Sequence, residues 1–269
     1  AEILGIIVTS LAAGYLVSRG ETMLAFLSII GVLLLTMAIT LWGVREEPLA
    51  GAESTPLWNT VLATFRVDIG RHIDFFWLIL SRLLILVAMN LVRNYLVYYI
   101  QHVLHLSLQE AAGLAGNLLA ILAVTIALIV YPAGLLSDRV GRKPLVVASG
   151  LIGAVGSLLL LWVHSYTDLL IFGGLLGLSM GVFLSVNWAL LMDVIPDEEA
   201  GRYLGLSNLA TAGAGAVAAV GGPIIDVFNA QAAGRGYVVL YVLACLCYLV
   251  GTALLRRVRA GSRPPREAA

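Results

Sequence analysis

The chain has 269 residues, of which 60% are hydrophobic and 12% are charged, and its mean hydropathy is +0.97. A soluble domain cannot carry so many apolar side chains, so the composition excludes a soluble protein and indicates a polytopic membrane protein. The sixteen basic and sixteen acidic residues cancel, so no net charge favours a nucleic-acid partner.

Eight apolar stretches approach or exceed the roughly 20 residues that a helix needs to cross a bilayer. They lie at 3–17, 23–44, 75–100, 111–135, 145–163, 169–192, 204–225 and 237–255. The sequence therefore predicts an all-α membrane protein with eight transmembrane helices. The first stretch is short and begins almost at Ala1, so we expect an N-terminally truncated bundle.

One long polar connection, 45–74, separates two spans before it from six after it. From Pro56 onwards its apolar residues recur at helical spacing, which is typical of an amphipathic helix on a membrane surface, whereas the part before Pro56 is equally consistent with a solvated linker. We predict two helices of an N-terminal bundle at 1–44, an inter-bundle loop at 45–74, a six-helix bundle at 75–257 and a tail at 258–269.

Most arginines and lysines fall on one side of the predicted spans. The residues on that side are Arg45, Arg66, Arg71, Arg139, Arg142, Lys143, Arg202, Arg256, Arg257, Arg259, Arg263 and Arg266. Because loops rich in Arg and Lys remain in the cytoplasm, we predict a multi-pass protein of the plasma or inner membrane with both chain ends cytoplasmic.

The turn between the fourth and fifth spans, 134–144, reads G-L-L-S-D-R-V-G-R-K-P. Ordinary positive-inside charges account for its three basic residues, but they leave its two glycines and its aspartate unexplained. The pattern G-x-L-x-D-R-x-G-R-K resembles the cytoplasmic loop signature of the major facilitator superfamily, a class of twelve-helix secondary transporters.

The resemblance implies a fold of two six-helix bundles, each built from inverted three-helix repeats. The eight predicted spans would then correspond to helices five to twelve of that fold. The implied function is transport of a small solute by alternating access, in a protein that is monomeric when complete.

In that family, contacts of the loop signature latch the cytoplasmic ends of the two bundles together. The resemblance assigns this latch role in the present sequence to Gly134, Asp138, Arg139, Gly141, Arg142, Lys143, Asp193 and Arg202. Asp193 closes the sixth span, so we expect it to pair with Arg142. We expect Asp138 to lie near Glu2 and Ile3, at the start of a neighbouring helix.

Polar side chains inside membrane spans are costly unless they are paired or hydrated, so they are candidates for function. Arg82, Asn90 and Arg93 share one face of the third span, although the side chain of Arg82 is long enough to reach the lipid headgroups instead. The residues predicted to line a substrate cavity are Asn90, Arg93, Asn94, Ser185, Asn187 and Trp188.

Two other classes of protein compete with a transporter. A heptahelical receptor would not account for the signature at 134–143, and an intramembrane enzyme would need a nucleophile, an acid pair or metal ligands at membrane depth, for which no motif is present. We therefore predict no catalytic residue, no metal and no cofactor. The expected partners are the lipid bilayer and a small-molecule substrate, which an anion, a sugar or a drug-like molecule fits equally well, and the coupling ion is not identified.

Overall fold

A computed structural model describes residues 22–43, 72–195 and 200–259. The chain divides into two compact units, Ala1–Val61 and Leu62–Ala269. In the first unit, helix α1 (Thr22–Gly43) is apolar along its whole length and buries none of its spanning window within the unit. The predicted span at 3–17 lies outside the described residues.

The described part of the second unit consists of helices. They are α2 (Ile73–Asn94), α3 (Leu96–Val103), α4 (Leu108–Val140), α5 (Arg142–Leu159), α6 (Tyr166–Val194), α7 (Ala200–Ala218), α8 (Gly221–Asn229) and α9 (Arg235–Leu254). Short 3₁₀ turns at Leu160–Trp162 and Leu255–Arg257 extend α5 and α9. Within the described ranges there is no strand, and seven helical segments are long and apolar enough to cross a membrane. The all-α, multi-pass prediction is confirmed.

Two predicted spans are each broken into two helices, and the breaks touch one another. The stretch at 75–100 breaks at Tyr95, and the stretch at 204–225 breaks between α7 and α8. Pro223 has no N–H, so it cannot donate to the carbonyl of Ala219 four residues earlier. The backbone N–H of Gly222 and the hydroxyl of Tyr95 donate to that carbonyl instead, the latter at 2.9 Å. The second break is therefore satisfied from within the protein, as a bilayer requires.

Within the second unit, α4 packs on α6, α6 on α5, α5 on α9, α9 on α2 and α2 on α7. Glycines at four-residue spacing bring α6 close to α4. A Cβ atom built on Gly173, Gly177 or Gly181 would lie 2.8–3.1 Å from side chains of α4. These glycines therefore serve helix packing, as their spacing predicts.

Capping boxes fix the starts of α4 and α6 at the same end of the unit. The hydroxyl of Ser107 accepts from the backbone N–H of Glu110, and that of Ser165 accepts from the backbone N–H of Asp168. Each carboxylate in turn accepts from the backbone N–H of its serine. The opposite ends of these two helices carry the charged residues of the turn signature and its partner.

We expect Gly153→Ala to lower the thermal unfolding midpoint of the purified protein. A Cβ atom at Gly153 would lie 2.5 Å from Cε1 of Tyr248 and 2.8 Å from Oγ of Ser179, and the Tyr248 ring is fully buried. Overpacking of this kind costs about 1–3 kcal/mol. The matched control is Gly174→Ala, because nothing lies within 4 Å of a Cβ atom at Gly174. Equal midpoints for the two variants would contradict the packing described.

Candidate functional site

The turn between α4 and α5 is joined to the end of α6 by an ion pair. Nη1 of Arg142 lies 2.5 Å from Oδ1 of Asp193 and also donates to the carbonyl of Ala189 at 2.8 Å. Both charged side chains are about one third exposed. Asp138 lies farther away, with its Oδ1 4.0 Å from Nη2 of Arg142, and its side chain is 68% exposed. The expected contact between Arg142 and Asp193 is thus present.

The two glycines of the turn signature differ in what they require. Gly141 has φ +96° and ψ 148°, a backbone conformation that is essentially restricted to glycine. A Cβ atom at Gly134 would lie 3.5 Å from Oγ of Ser185, which is ordinary contact. The sharp turn therefore depends on Gly141, whereas space alone does not require glycine at position 134.

The remaining residues of the predicted latch lie around this turn. Arg139 is exposed, and Arg202, near the start of α7, is half-buried. The neighbours expected for Asp138, Glu2 and Ile3, lie outside the described residues.

The segment that follows α9 is tied to the same end of the unit. Nζ of Lys143 donates to the carbonyl of Val258 at 2.7 Å, and Val258 itself is buried. Oδ1 of Asp74 accepts from the backbone N–H of Arg259 at 3.0 Å, and the guanidinium of Arg257 lies 4.4 Å from the ring centre of Trp77. We call this region the charged end of the unit, defined by Arg142, Asp193, Lys143, Asp74 and Val258.

A second set of residues with polar contacts lies between helices α2, α6 and α7. We call it the Arg82 cluster, and its members are Arg82, Asn187, Trp188 and Thr211. Nη1 of Arg82 donates to Oδ1 of Asn187, and Nη2 donates to Oγ1 of Thr211 at 3.3 Å. The guanidinium carbon lies 4.5 Å from the ring centre of Trp188. Arg82 is 2% exposed and Asn187 is 1% exposed. The cluster joins α2, α6 and α7 to one another.

The hydrogen bonds of the Arg82 cluster are incomplete. Nε of Arg82 and Nδ2 of Asn187 are buried without a partner. Among the residues that the structure describes, no carboxylate lies within salt-bridge distance of Arg82. The sequence had left open whether Arg82 reaches the headgroups, and its burial against α6 and α7 excludes that arrangement.

The other residues predicted for the cavity do not join this cluster. Nη2 of Arg93, an exposed residue, donates to Oδ1 of Asn90 at 3.2 Å, and Nδ2 of Asn90 donates to the carbonyl of Leu86. Asn94 is exposed at the end of α2. Ser185 donates to the carbonyl of Val130 on α4 at 2.7 Å. Of the six predicted cavity residues, the structure thus brings only Asn187 and Trp188 to the buried arginine.

Comparison with known proteins places this helical unit in a family. The family model of the Major Facilitator Superfamily matches residues 78–269, which is more than half of the chain. The chain belongs to the major facilitator superfamily. This membership makes it an integral, multi-pass membrane protein of a transporter family, and it favours transport over the receptor and enzyme alternatives.

Individual members of the superfamily match shorter segments. The chain is 34% identical over 105 residues to the minor myo-inositol transporter IolF of Bacillus subtilis, covering 39% of this chain and 24% of that protein. It is 33% identical over 124 residues to the inner membrane transport protein YajR of Escherichia coli, covering 45% of this chain and 26% of that protein. It is 33% identical over 76 residues to the multidrug resistance protein MdtL of Klebsiella pneumoniae, covering 28% of this chain and 19% of that protein. The chain thus covers about a quarter or less of the length of these relatives.

Proposed function

We propose that the protein carries out secondary active transport of a small solute by alternating access, with the charged end and both chain ends in the cytoplasm. The observation that carries this proposal is the ion pair between Arg142 and Asp193, which joins a glycine-dependent turn to the end of a neighbouring helix. Asp138, Arg139, Lys143 and the two turn glycines belong to the same latch in this proposal, as does Arg202.

The energetics of the ion pair suit a contact that forms and breaks. Its side chains are about one third exposed, and ion pairs at that degree of exposure contribute on the order of 1 kcal/mol or less. A contact of that size shifts the balance between two conformations by a few-fold without locking either one. The pair therefore suits a switch between two states better than it suits a permanent structural link.

The solute is proposed to enter beside the polar residues of α2 and α6, including Asn90, Arg93 and Asn94 together with Ser185, Asn187 and Trp188. Two of the similar proteins are named for myo-inositol and for multidrug resistance, so similarity alone favours neither class of solute. We further propose a non-enzymatic protein that binds no nucleic acid, is monomeric when complete and is driven by a coupling ion. Its helical parts are proposed to be 1–44 and 75–257, joined by a loop at 45–74 and followed by a tail at 258–269.

Reciprocal changes in accessibility at the two ends test alternating access. Single cysteines replace Val140 at the charged end and Tyr98 towards the opposite end, both of which are exposed. They are labelled in the complete protein in membranes with an impermeant maleimide, after Cys245, Cys247 and any other cysteine of the complete protein have been replaced by alanine. We expect Asp193→Asn to raise labelling at position 140 and to lower it at position 98, because loss of the ion pair favours opening at the charged end.

The charge-swapped double variant, Arg142→Asp with Asp193→Arg, is the control, since it restores the attraction with opposite polarity. We expect it to return labelling at both positions towards the original values. Labelling that changes in the same direction at both ends, or that is unaffected by Asp193→Asn, would contradict alternating access controlled from this pair.

A further inference from the structure

We propose that the solute carries an anionic group, a carboxylate or a phosphate, that pairs with Arg82. This inference rests on the proposed transport function and names the chemical class of its substrate.

The first argument is the charge itself. Arg82 lies about 14 Å along the helix axis from Ile73, at 1.5 Å per residue, and is 2% exposed. A guanidinium remains protonated in proteins, and a charge within a membrane protein is normally paired or functional. The partners of Arg82 among the described residues are the neutral oxygens of Asn187 and Thr211. The cluster is thus left with one net positive charge and without a counter-ion from the described helices.

The second argument is the set of donors that remain free. Nε of Arg82 and Nδ2 of Asn187 are both buried N–H groups without an acceptor. Carboxylates and phosphates provide several acceptor oxygens and bind guanidinium groups through two parallel hydrogen bonds. A neutral polyol would accept from these donors but would leave the charge of Arg82 without a counter-ion, and a cation would be repelled. Only an anion meets both requirements.

The third argument is the position of Trp188. Cζ of Arg82 lies 4.5 Å from the ring centre of Trp188, and both Nη atoms already donate to side chains, so Nε is the group left for a ligand. Trp188 is half-buried and Thr211 is exposed, so the buried guanidinium contacts two side chains that reach the surface of the unit. We propose that an anion reaches Arg82 by displacement of these two side chains, without unfolding of a helix.

The experiment measures thermal unfolding of the complete purified protein at constant ionic strength with defined probes. The anionic probes are benzoate, succinate, glycerol 3-phosphate and inorganic phosphate, and the controls are neutral myo-inositol and the cation tetraphenylphosphonium. We expect at least one anion, and neither control, to raise the unfolding midpoint. In Arg82→Met the affinity for that anion should fall about 100-fold or more, because a buried charged partner is lost.

Two further variants separate recognition from folding. Arg82→Lys keeps the charge but not the planar fork, so it should retain part of the anion response. Arg256→Met removes an exposed arginine that lies outside the Arg82 cluster and should leave the response unchanged. Without ligand, Arg82→Met should unfold at a higher temperature than the original protein, since it removes an unpaired buried charge.

Stabilisation by myo-inositol or tetraphenylphosphonium alone, or by none of the probes, would overturn the inference. So would a lower ligand-free midpoint for Arg82→Met, which would indicate that Arg82 already pairs with a carboxylate elsewhere in the protein. Anion binding without reciprocal labelling at positions 98 and 140 would leave this inference standing and reject alternating access. Reciprocal labelling without anion binding would support alternating access and reject this inference.

Discussion

Asn187→Asp is expected to stabilise the ligand-free protein and to abolish its anion binding. Aspartate has nearly the same shape as asparagine, so its carboxylate would take the position in which Oδ1 of Asn187 already accepts from Arg82. The change also replaces Nδ2, a buried donor without a partner, by an oxygen that can accept. Because Arg82 is already desolvated, the new attraction should contribute on the order of 2 kcal/mol.

The same substitution should block the proposed substrate site, because an internal carboxylate would occupy the guanidinium that an anion needs. We expect the unfolding midpoint to rise and its response to benzoate, succinate and the phosphates to disappear. Asn90→Asp is the matched control, since it places a carboxylate beside the exposed Arg93 on the same helix. An exposed pair contributes about 0–1 kcal/mol, so this variant should leave the unfolding midpoint nearly unchanged.

A lower midpoint for Asn187→Asp than for Asn90→Asp would indicate that the Arg82 cluster already contains a negative charge. An unchanged anion response in Asn187→Asp would indicate that the anion binds elsewhere. Either result would reject Arg82 as the anion-binding residue.

The helices could be predicted from the sequence because long apolar stretches in a bilayer have few alternatives to a helix. Their breaks could not be predicted in the same way. Arg93 and Asn94 precede the first break and Pro223 lies at the second, but these residues alone do not fix where each helix stops. The second break depends on the carbonyl of Ala219, which receives a hydroxyl from a tyrosine 124 residues away in the chain. A contact between distant segments leaves no signal in local composition.

The two candidate sites differ in how far the sequence could locate them. The turn signature combines charge and glycine at fixed spacing, so the approach of Arg142 to Asp193 followed from the pattern and from the position of Asp193 at a helix end. The sequence identifies Arg82 as a charge within a membrane span. Whether its side chain extends to the headgroups or into the interior depends on the rotation of α2 against α6 and α7. Helical spacing grouped Arg82 with Asn90 and Arg93, whereas its hydrogen bonds join it to Asn187 and Thr211.

Gly141→Ala is expected to disrupt the charged end more strongly than any other alanine substitution in the turn signature. With φ +96° and ψ 148°, Gly141 ends α4 and begins α5 in a conformation that costs a side-chain-bearing residue about 1–3 kcal/mol. Relief of that strain would rotate the start of α5, where Arg142 lies 2.5 Å from Asp193 and Lys143 lies 2.7 Å from the carbonyl of Val258. Both contacts should weaken together, with a lower unfolding midpoint and increased maleimide labelling at position 140.

Gly134→Ala provides the comparison within the same signature, because a Cβ atom there would make only an ordinary contact with Ser185. We expect this variant to change the unfolding midpoint and the labelling much less than Gly141→Ala does. The difference between the two glycines separates backbone conformation from helix packing as the reason for glycine in this turn. Equal loss in both variants would show that close approach of α4 to α6 is the stronger requirement, whereas a harmless Gly141→Ala would show that the turn reaches its geometry without a positive φ angle.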